Sequence, residues 1–84
     1  MGNYVYMLRC GDGSLYTGAT TDIAHRLAMH RSGKGAKYTR SRLPVELAYQ
    51  EETEDWSAAL CREAAIKRMS RTQKLALIAR GSNT

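Results

Sequence analysis

Two runs of strand-forming residues open the chain, Tyr4-Val5-Tyr6-Met7-Leu8 and Ser14-Leu15-Tyr16-Thr17-Gly18, with the turn residues Gly11-Asp12-Gly13 between them. That order predicts a β-hairpin over residues 4 to 18. The period then changes. Thr20-Thr21-Asp22 offers an N-cap and an acid for the first turn of a helix, Ile23 and Leu27 supply its apolar stripe, and Gly33 marks its end. Residues 33 to 44 read as a Gly- and Lys-rich loop closed by Pro44. Alternation returns at Val45, Leu47 and Tyr49, interleaved with Glu46, Ala48 and Gln50, which predicts a third strand with one buried face. Ser57 is placed to cap a second helix running through Met69, since AALCREAAIKRM is rich in helix formers. Ser70-Arg71-Thr72-Gln73 reads as a capping box for a third helix carrying Leu75, Leu77 and Ile78. The tail Gly81-Ser82-Asn83-Thr84 is expected to fray. The order β-β-α-β-α-α predicts one α+β domain over residues 1–80, three strands with helices against them.

The hairpin loop decides how its tyrosines relate. A two-residue Asp12-Gly13 loop puts Tyr6 and Tyr16 on opposite faces, because strand side chains alternate. A three-residue Gly11-Asp12-Gly13 loop sets Tyr6 opposite Gly18 and Leu8 opposite Tyr16, and both hydroxyls then project from one face. Gly13 suits the left-handed position that ends such a loop. Gly18 across from Tyr6 would leave room there for a bound group.

Charge adds a second layer. The net charge is +5, with 25% charged and 43% hydrophobic residues, an ordinary globular balance. Arg26, Arg31, Lys34, Lys37, Arg40 and Arg42 follow one another with no acid among them. Arg62, Lys67, Arg68, Arg71, Lys74 and Arg80 form a second block that holds one acid, Glu63. Glu46, Glu51, Glu52, Glu54 and Asp55 make an acidic block between them. Basic surfaces of this kind attract phosphates, although a plain solvated face has the same composition. No apolar run approaches the ~18 residues of a membrane span, and the N-terminus lacks a basic-then-apolar leader, so a cytoplasmic protein is expected. Cys10 and Cys61 form no CxxC pair and are expected as buried free thiols.

Several residues are suited to chemistry. Arg26 and His30 are one helical turn apart, and His30 projects within about 20° of Ile23, near the buried edge of the first helix. Taken alone, the pair reads better as a packed histidine and a snorkelling arginine than as a cation and an imidazole turned toward the sheet for chemistry. Glu63 fits two descriptions, an i,i+4 partner of Lys67 or the single carboxylate that a hard divalent cation takes beside a phosphate. Gly33-Lys34-Gly35 lacks the spacing of a phosphate-binding P-loop, and His25 and His30 lack zinc spacing.

Taken together, Tyr4-Val5-Tyr6, then Tyr16-Thr17-Gly18, Arg26, His30 and the later Glu63 resemble the GIY-YIG nuclease superfamily in order and spacing. SGKGAKYTR, residues 32 to 40, is similar to its small stand-alone bacterial branch. The resemblance implies a three-stranded antiparallel sheet flanked by helices and one-metal hydrolysis of DNA phosphodiesters. It makes Glu63 the ligand of Mg²⁺ or Mn²⁺, and one of Tyr6 and Tyr16 the general base or water-orienting group. Arg26 then steadies the scissile phosphate, with His30 as the auxiliary polar residue. Lys34, Lys37, Arg40 and Arg42 are expected to bind phosphates of a branched, nicked or single-stranded DNA at the rim of the site. Tyr4, Val5 and Thr17 stand where the family motifs carry Gly, Ile and Ile, and residues 64 to 82 lack the asparagine that many members have there. A second reading therefore stays open, a nucleic-acid-binding module that keeps the fold without cleaving.

Overall fold

The structure, a computed structural model, describes residues 2–81. A three-stranded antiparallel sheet forms its centre in the order β2-β1-β3, from β1 (Asn3–Arg9), β2 (Leu15–Thr20) and β3 (Glu46–Thr53). Helices α1 (Ile23–Arg31) and α2 (Lys37–Arg40) lie between β2 and β3 in sequence, and α3 (Trp56–Lys67) and α4 (Arg71–Gly81) follow. The α+β class and the sheet are as the sequence predicts. The central strand has both faces covered, so Val5, Tyr6, Met7 and Leu8 are all at most 2% exposed. A strand buried on both sides needs a continuous apolar run rather than an alternating one.

Two cores result, one on each face. Val5 and Met7 pack with Ala59, Ile66 and Leu77 from α3 and α4. Tyr6, Leu8, Cys10 and Val45 pack on the other face, with Tyr16, Ile23, Leu27 and Leu47 around them. Each fully buried aliphatic side chain stabilises the fold by about 1.5–3 kcal/mol.

The hairpin takes the three-residue loop. Cys10 N–H donates to Ser14 O at 2.9 Å, Gly13 N–H donates to Cys10 O at 2.9 Å, and Gly13 has φ +84°. An αL residue at that point is cheap only for glycine. The Asp12 carboxylate accepts from Ser14 N–H at 3.0 Å and tightens the turn.

Several details differ from the sequence reading. Asp22 is itself the N-cap of α1, accepting from His25 N–H at 3.0 Å, and not an acid within the first turn. Asp55 caps α3 through Ala58 N–H at 2.7 Å, two residues before Ser57, because an aspartate at that point reaches the orphan amide first. The segment 33–44 is not all loop, since α2 forms one turn inside it. Tyr49 does not share a face with Val45 and Leu47: Met7 pairs with Tyr49 but Leu8 pairs with Leu47, so Ala48 is an extra residue in β3. That bulge flips everything after it to the opposite face, and Tyr49 packs with the α3–α4 core.

The capping box of α4 is as expected: Gln73 N–H donates to Ser70 Oγ at 3.2 Å and Ser70 N–H to Gln73 Oε1 at 2.9 Å. Gly81 belongs to α4 rather than to a frayed tail, and residues 82–84 lie outside the described residues. Cys10 is buried and Cys61 exposed, both as free thiols, so the expectation of two buried thiols holds for Cys10 alone.

Candidate active site

The odd-length hairpin loop sets the site. It pairs Tyr6 with Gly18 and Leu8 with Tyr16, so the tyrosine rings share one face with centroids 6.4 Å apart. The space opposite Tyr6 is not open. A Cβ on Gly18 would lie 2.5 Å from the Tyr6 hydroxyl oxygen, so the phenol ring itself occupies the room that Gly18 provides.

Helix α1 covers this face because Ile23 and Leu27 pack against the Tyr6–Leu8 cluster. The same packing turns Arg26 and His30 inward. His30 is 0% exposed, and its Nε2 lies 2.9 Å from the Tyr6 hydroxyl. Its Nδ1 lies 2.8 Å from Thr39 Oγ1, and Thr39, also 0% exposed, donates its hydroxyl proton to Ala36 O at 2.9 Å. The Tyr16 ring lies tilted beside His30, with centroids 5.2 Å apart. The segment before α2 reaches this close only because residue 35 has no side chain. A Cβ there would stand 2.8 Å from His30 Cγ.

The electrostatics follow from this crowding. Burial pushes the Tyr6 phenol above its usual range, the Arg26 guanidinium beside it pulls the other way, and the charges of Tyr16 and Glu63 raise it further. Hydrogen bonding to the Tyr6 hydroxyl holds the Arg26 guanidinium in its protonated form. Arginine only donates, so toward Arg26 the Tyr6 oxygen can only accept. Burial lowers the His30 pKa, and the nearby Arg26 cation lowers it again.

Glu63 comes from α3, which packs on the opposite face of the sheet, yet its charge is felt at the Tyr6 hydroxyl. Its side chain is 19% exposed and pairs with Lys67 Nζ at 3.2 Å. The helix-surface pairing is thus present, and the charge of the same carboxylate acts on Tyr6 through the sheet. Among the described residues no group of three or more His, Cys, Asp or Glu is placed to cage a metal ion. One half-buried carboxylate is a hard oxygen donor of the kind that Mg²⁺ or Mn²⁺ accepts while keeping most of its shell for water and phosphate, so the donor set fits such an ion.

The four basic residues of the 34–42 segment divide. Lys34, Lys37 and Arg40 are exposed, and among the described residues none forms a side-chain ion pair. Arg42 is engaged within the fold: its Nε donates to Asp12 Oδ2 at 3.1 Å, Nη1 donates to Tyr38 O at 2.9 Å, and the guanidinium carbon sits 3.9 Å above the Tyr38 ring. Tyr38 in turn lies against Tyr16, centroids 5.9 Å apart. The sequence reading passed over Thr39, Gly35 and Tyr38. The available signal was a glycine and a small hydroxyl residue close to His30 in a segment otherwise read for charge.

The domain is of nuclease type. Residues 2–76 match the GIY-YIG catalytic domain, and the chain belongs to the GIY-YIG family. That family implies a nucleic-acid substrate, and its nucleases generally use divalent metal ions. Its relatives are small UPF0213 proteins. One from Streptococcus sanguinis is 60% identical over 75 residues, 89% of this chain and 86% of that protein. One from Staphylococcus haemolyticus is 54% identical over 76 residues, 90% of this chain and 93% of that protein. The solution NMR structure of the UPF0213 protein from Bacillus halodurans matches with a TM-score of 0.60 at 46% identity, covering 94% of this chain and 84% of that one. No helix among the described residues is long and apolar enough to cross a membrane.

Proposed function

We propose that this chain is a metal-dependent endonuclease that hydrolyses DNA phosphodiester bonds, selecting by structure or only weakly by sequence. The observation that carries the reading is the buried Tyr6 hydroxyl, hydrogen-bonded to the His30 imidazole beside Arg26, with the Glu63 charge felt there as well. Plain phosphate binding needs cations; it has no need of a carboxylate beside them or of a tyrosine hydrogen-bonded to an imidazole.

In this reading Tyr6 is the general base. Its own proton passes to His30 Nε2, and its oxygen takes a proton from the attacking water as the new P–O bond forms. Arg26 donates to the phosphate oxygens and offsets the charge that builds on them. Tyr16 orients the water. Glu63 would hold the divalent cation, which when bound supplies Lewis-acid neutralisation of the phosphate. Lys34, Lys37 and Arg40 contact flanking phosphates, and Arg42 joins them only by releasing Asp12.

The alternative, a nucleic-acid-binding module that does not cleave, draws on the Glu63–Lys67 pair, which gives the carboxylate a purely structural partner. Branched, nicked and single-stranded DNAs incubated with Mg²⁺, Mn²⁺ or chelator separate the two. The enzyme nicks in metal and is silent in chelator. Salt-sensitive binding with no cleavage of any substrate establishes the module.

A further inference from the structure

We infer that Thr39 is a positioning residue for catalysis: it fixes the His30 tautomer that lets the imidazole receive the Tyr6 proton. The inference rests on the reading of Tyr6 as general base, and it follows from counting protons. The Thr39 hydroxyl has one hydrogen, and Ala36 O takes it at 2.9 Å. Toward His30 Nδ1, 2.8 Å away, Thr39 can then only accept. So Nδ1 carries the imidazole hydrogen, and in the neutral ring Nε2 is left with a lone pair. That lone pair faces the Tyr6 hydroxyl at 2.9 Å. The Tyr6 hydroxyl has one hydrogen and the Arg26 guanidinium beside it can only donate, so that hydrogen is directed at His30. The order of donation is therefore Tyr6 to His30, His30 to Thr39, Thr39 to the Ala36 carbonyl.

The opposite tautomer would place a hydrogen on Nε2 and leave Tyr6 facing two donors, with nowhere to send its own proton. In the step itself, the water oxygen bonds to phosphorus and the ester P–O bond breaks. The water proton goes to Tyr6, the Tyr6 proton goes to Nε2, and the departing oxygen is protonated from solvent. Thr39 touches neither DNA nor water in this scheme and acts through His30 alone.

Two further facts fit. Thr39 is 0% exposed on a four-residue helix whose other members, Lys37, Tyr38 and Arg40, are exposed, so it is the side chain that this helix buries. Gly35 lets the backbone come up against the imidazole ring, where any Cβ would collide with it. The segment carrying the phosphate-binding cations is thus seated on the proton acceptor of the site.

The test combines imidazole ¹⁵N spectra with kinetics for wild type, Thr39→Val and Thr39→Ser. Wild type and Thr39→Ser are expected to show His30 protonated at Nδ1. Thr39→Val, which keeps the volume and removes the acceptor, is expected to lose that preference. Its kcat should fall about 10- to 100-fold with KM unchanged, short of the ~10²–10⁴ that a whole acid–base group supplies. Thr39→Ser should restore both signals. A hole in the packing alone would be repaired by valine, and loss with valine but rescue by serine excludes it. The inference is overturned by wild-type His30 protonated at Nε2, or by a Thr39→Val protein that keeps the Nδ1 hydrogen and full kcat. If Thr39→Val does not fold, the spectra of wild type and Thr39→Ser decide alone. If wild type cleaves no DNA, the proposed activity fails, while the tautomer spectrum still reports whether Thr39 sets the ring.

Discussion

At Glu63 a helix-surface ion pair and a metal ligand would use the same carboxylate, and the two uses predict different mutants. As a partner of Lys67 it contributes about 0.2–0.5 kcal/mol, so Glu63→Gln should melt close to wild type. As the metal ligand it is the protein charge that holds the cation, and its loss should reduce metal-dependent cleavage by orders of magnitude. DNA affinity measured in chelator should be unchanged or tighter, since a carboxylate facing phosphates repels them. Undiminished cleavage by a well-folded Glu63→Gln protein removes it from the mechanism. Thr17 makes the contrasting case. It pairs with Met7 on the α3–α4 face, is 4% exposed, and among the described residues its Oγ1 is the buried side-chain oxygen without a partner. An unpaired buried hydroxyl costs about 1–3 kcal/mol. Thr17→Val should therefore stabilise the fold by about 1 kcal/mol, raising Tm by roughly 4–8 °C for a domain of this size, and leave cleavage as it was. A Tm that falls would mean that the hydroxyl has a partner after all. The two residues also differ in legibility. Glu63 stood out in the sequence as an acid among cations, whereas nothing local marks Thr17 as unsatisfied, because satisfaction depends on what α3 brings against it.

Among the elements, the hairpin was legible in its position, and its turn residues allowed either a two- or a three-residue loop. Gly13 suits the left-handed end of the three-residue loop, and that odd length places Tyr6 and Tyr16 on one face. The face of Tyr49 was not legible, since an alternating run looks the same with or without a bulge, and the extra residue Ala48 shows only when β3 is paired with β1. Helix α2 was not legible either. Four residues carry no periodicity, and the turn is held by Thr39 reaching a histidine nine positions earlier. For the basic segment the sequence offered charge but not division of labour, and the division makes a prediction. Arg42 holds Asp12 and Tyr38, so the test of phosphate binding is Lys34→Gln, Lys37→Gln and Arg40→Gln together. Three phosphate contacts give a log–log salt dependence with slope about −2 to −3, at roughly −0.7 to −0.9 per contact. The triple variant should flatten that slope toward zero and weaken every DNA sequence about equally. A slope that does not change places the DNA on another face.

The whole molecule is a sheet with a core on each side, and the site is built into one of them, so the titrations of the site become properties of the fold. His30 and Tyr6 are buried in the α1-side core and share one hydrogen bond. Burial first and Arg26 second lower the His30 pKa from its usual 6.5. The unfolded chain therefore binds a proton that the folded chain resists, and stability rises with pH across that interval. The contribution is fully present above about pH 6.5 and is lost as pH falls through the lower folded value. Tyr6 works in the reverse sense. Burial first raises its pKa above the usual 10.0, so the folded state holds its proton longer, and stability declines as pH rises past about 10. Asp12, lowered from 3.8 by its hydrogen bonds to Ser14, acts only at more acidic pH and does not overlap the histidine limb. Stability should form a plateau between these limits, with an acid shoulder that belongs to His30. The check is Tm against pH from 8 to 5 for wild type and His30→Gln, alongside an NMR titration of the His30 ring. The variant should melt lower on the plateau, because the hydrogen bonds to Tyr6 and Thr39 are disturbed, and the gap to wild type should narrow as pH drops below 6.5. The ring itself should titrate below 6.5. A gap that stays constant down to pH 5, with a ring that titrates at or above 6.5, would mean that the imidazole is not held neutral between Tyr6 and Thr39, and the proton path through it would have no starting state.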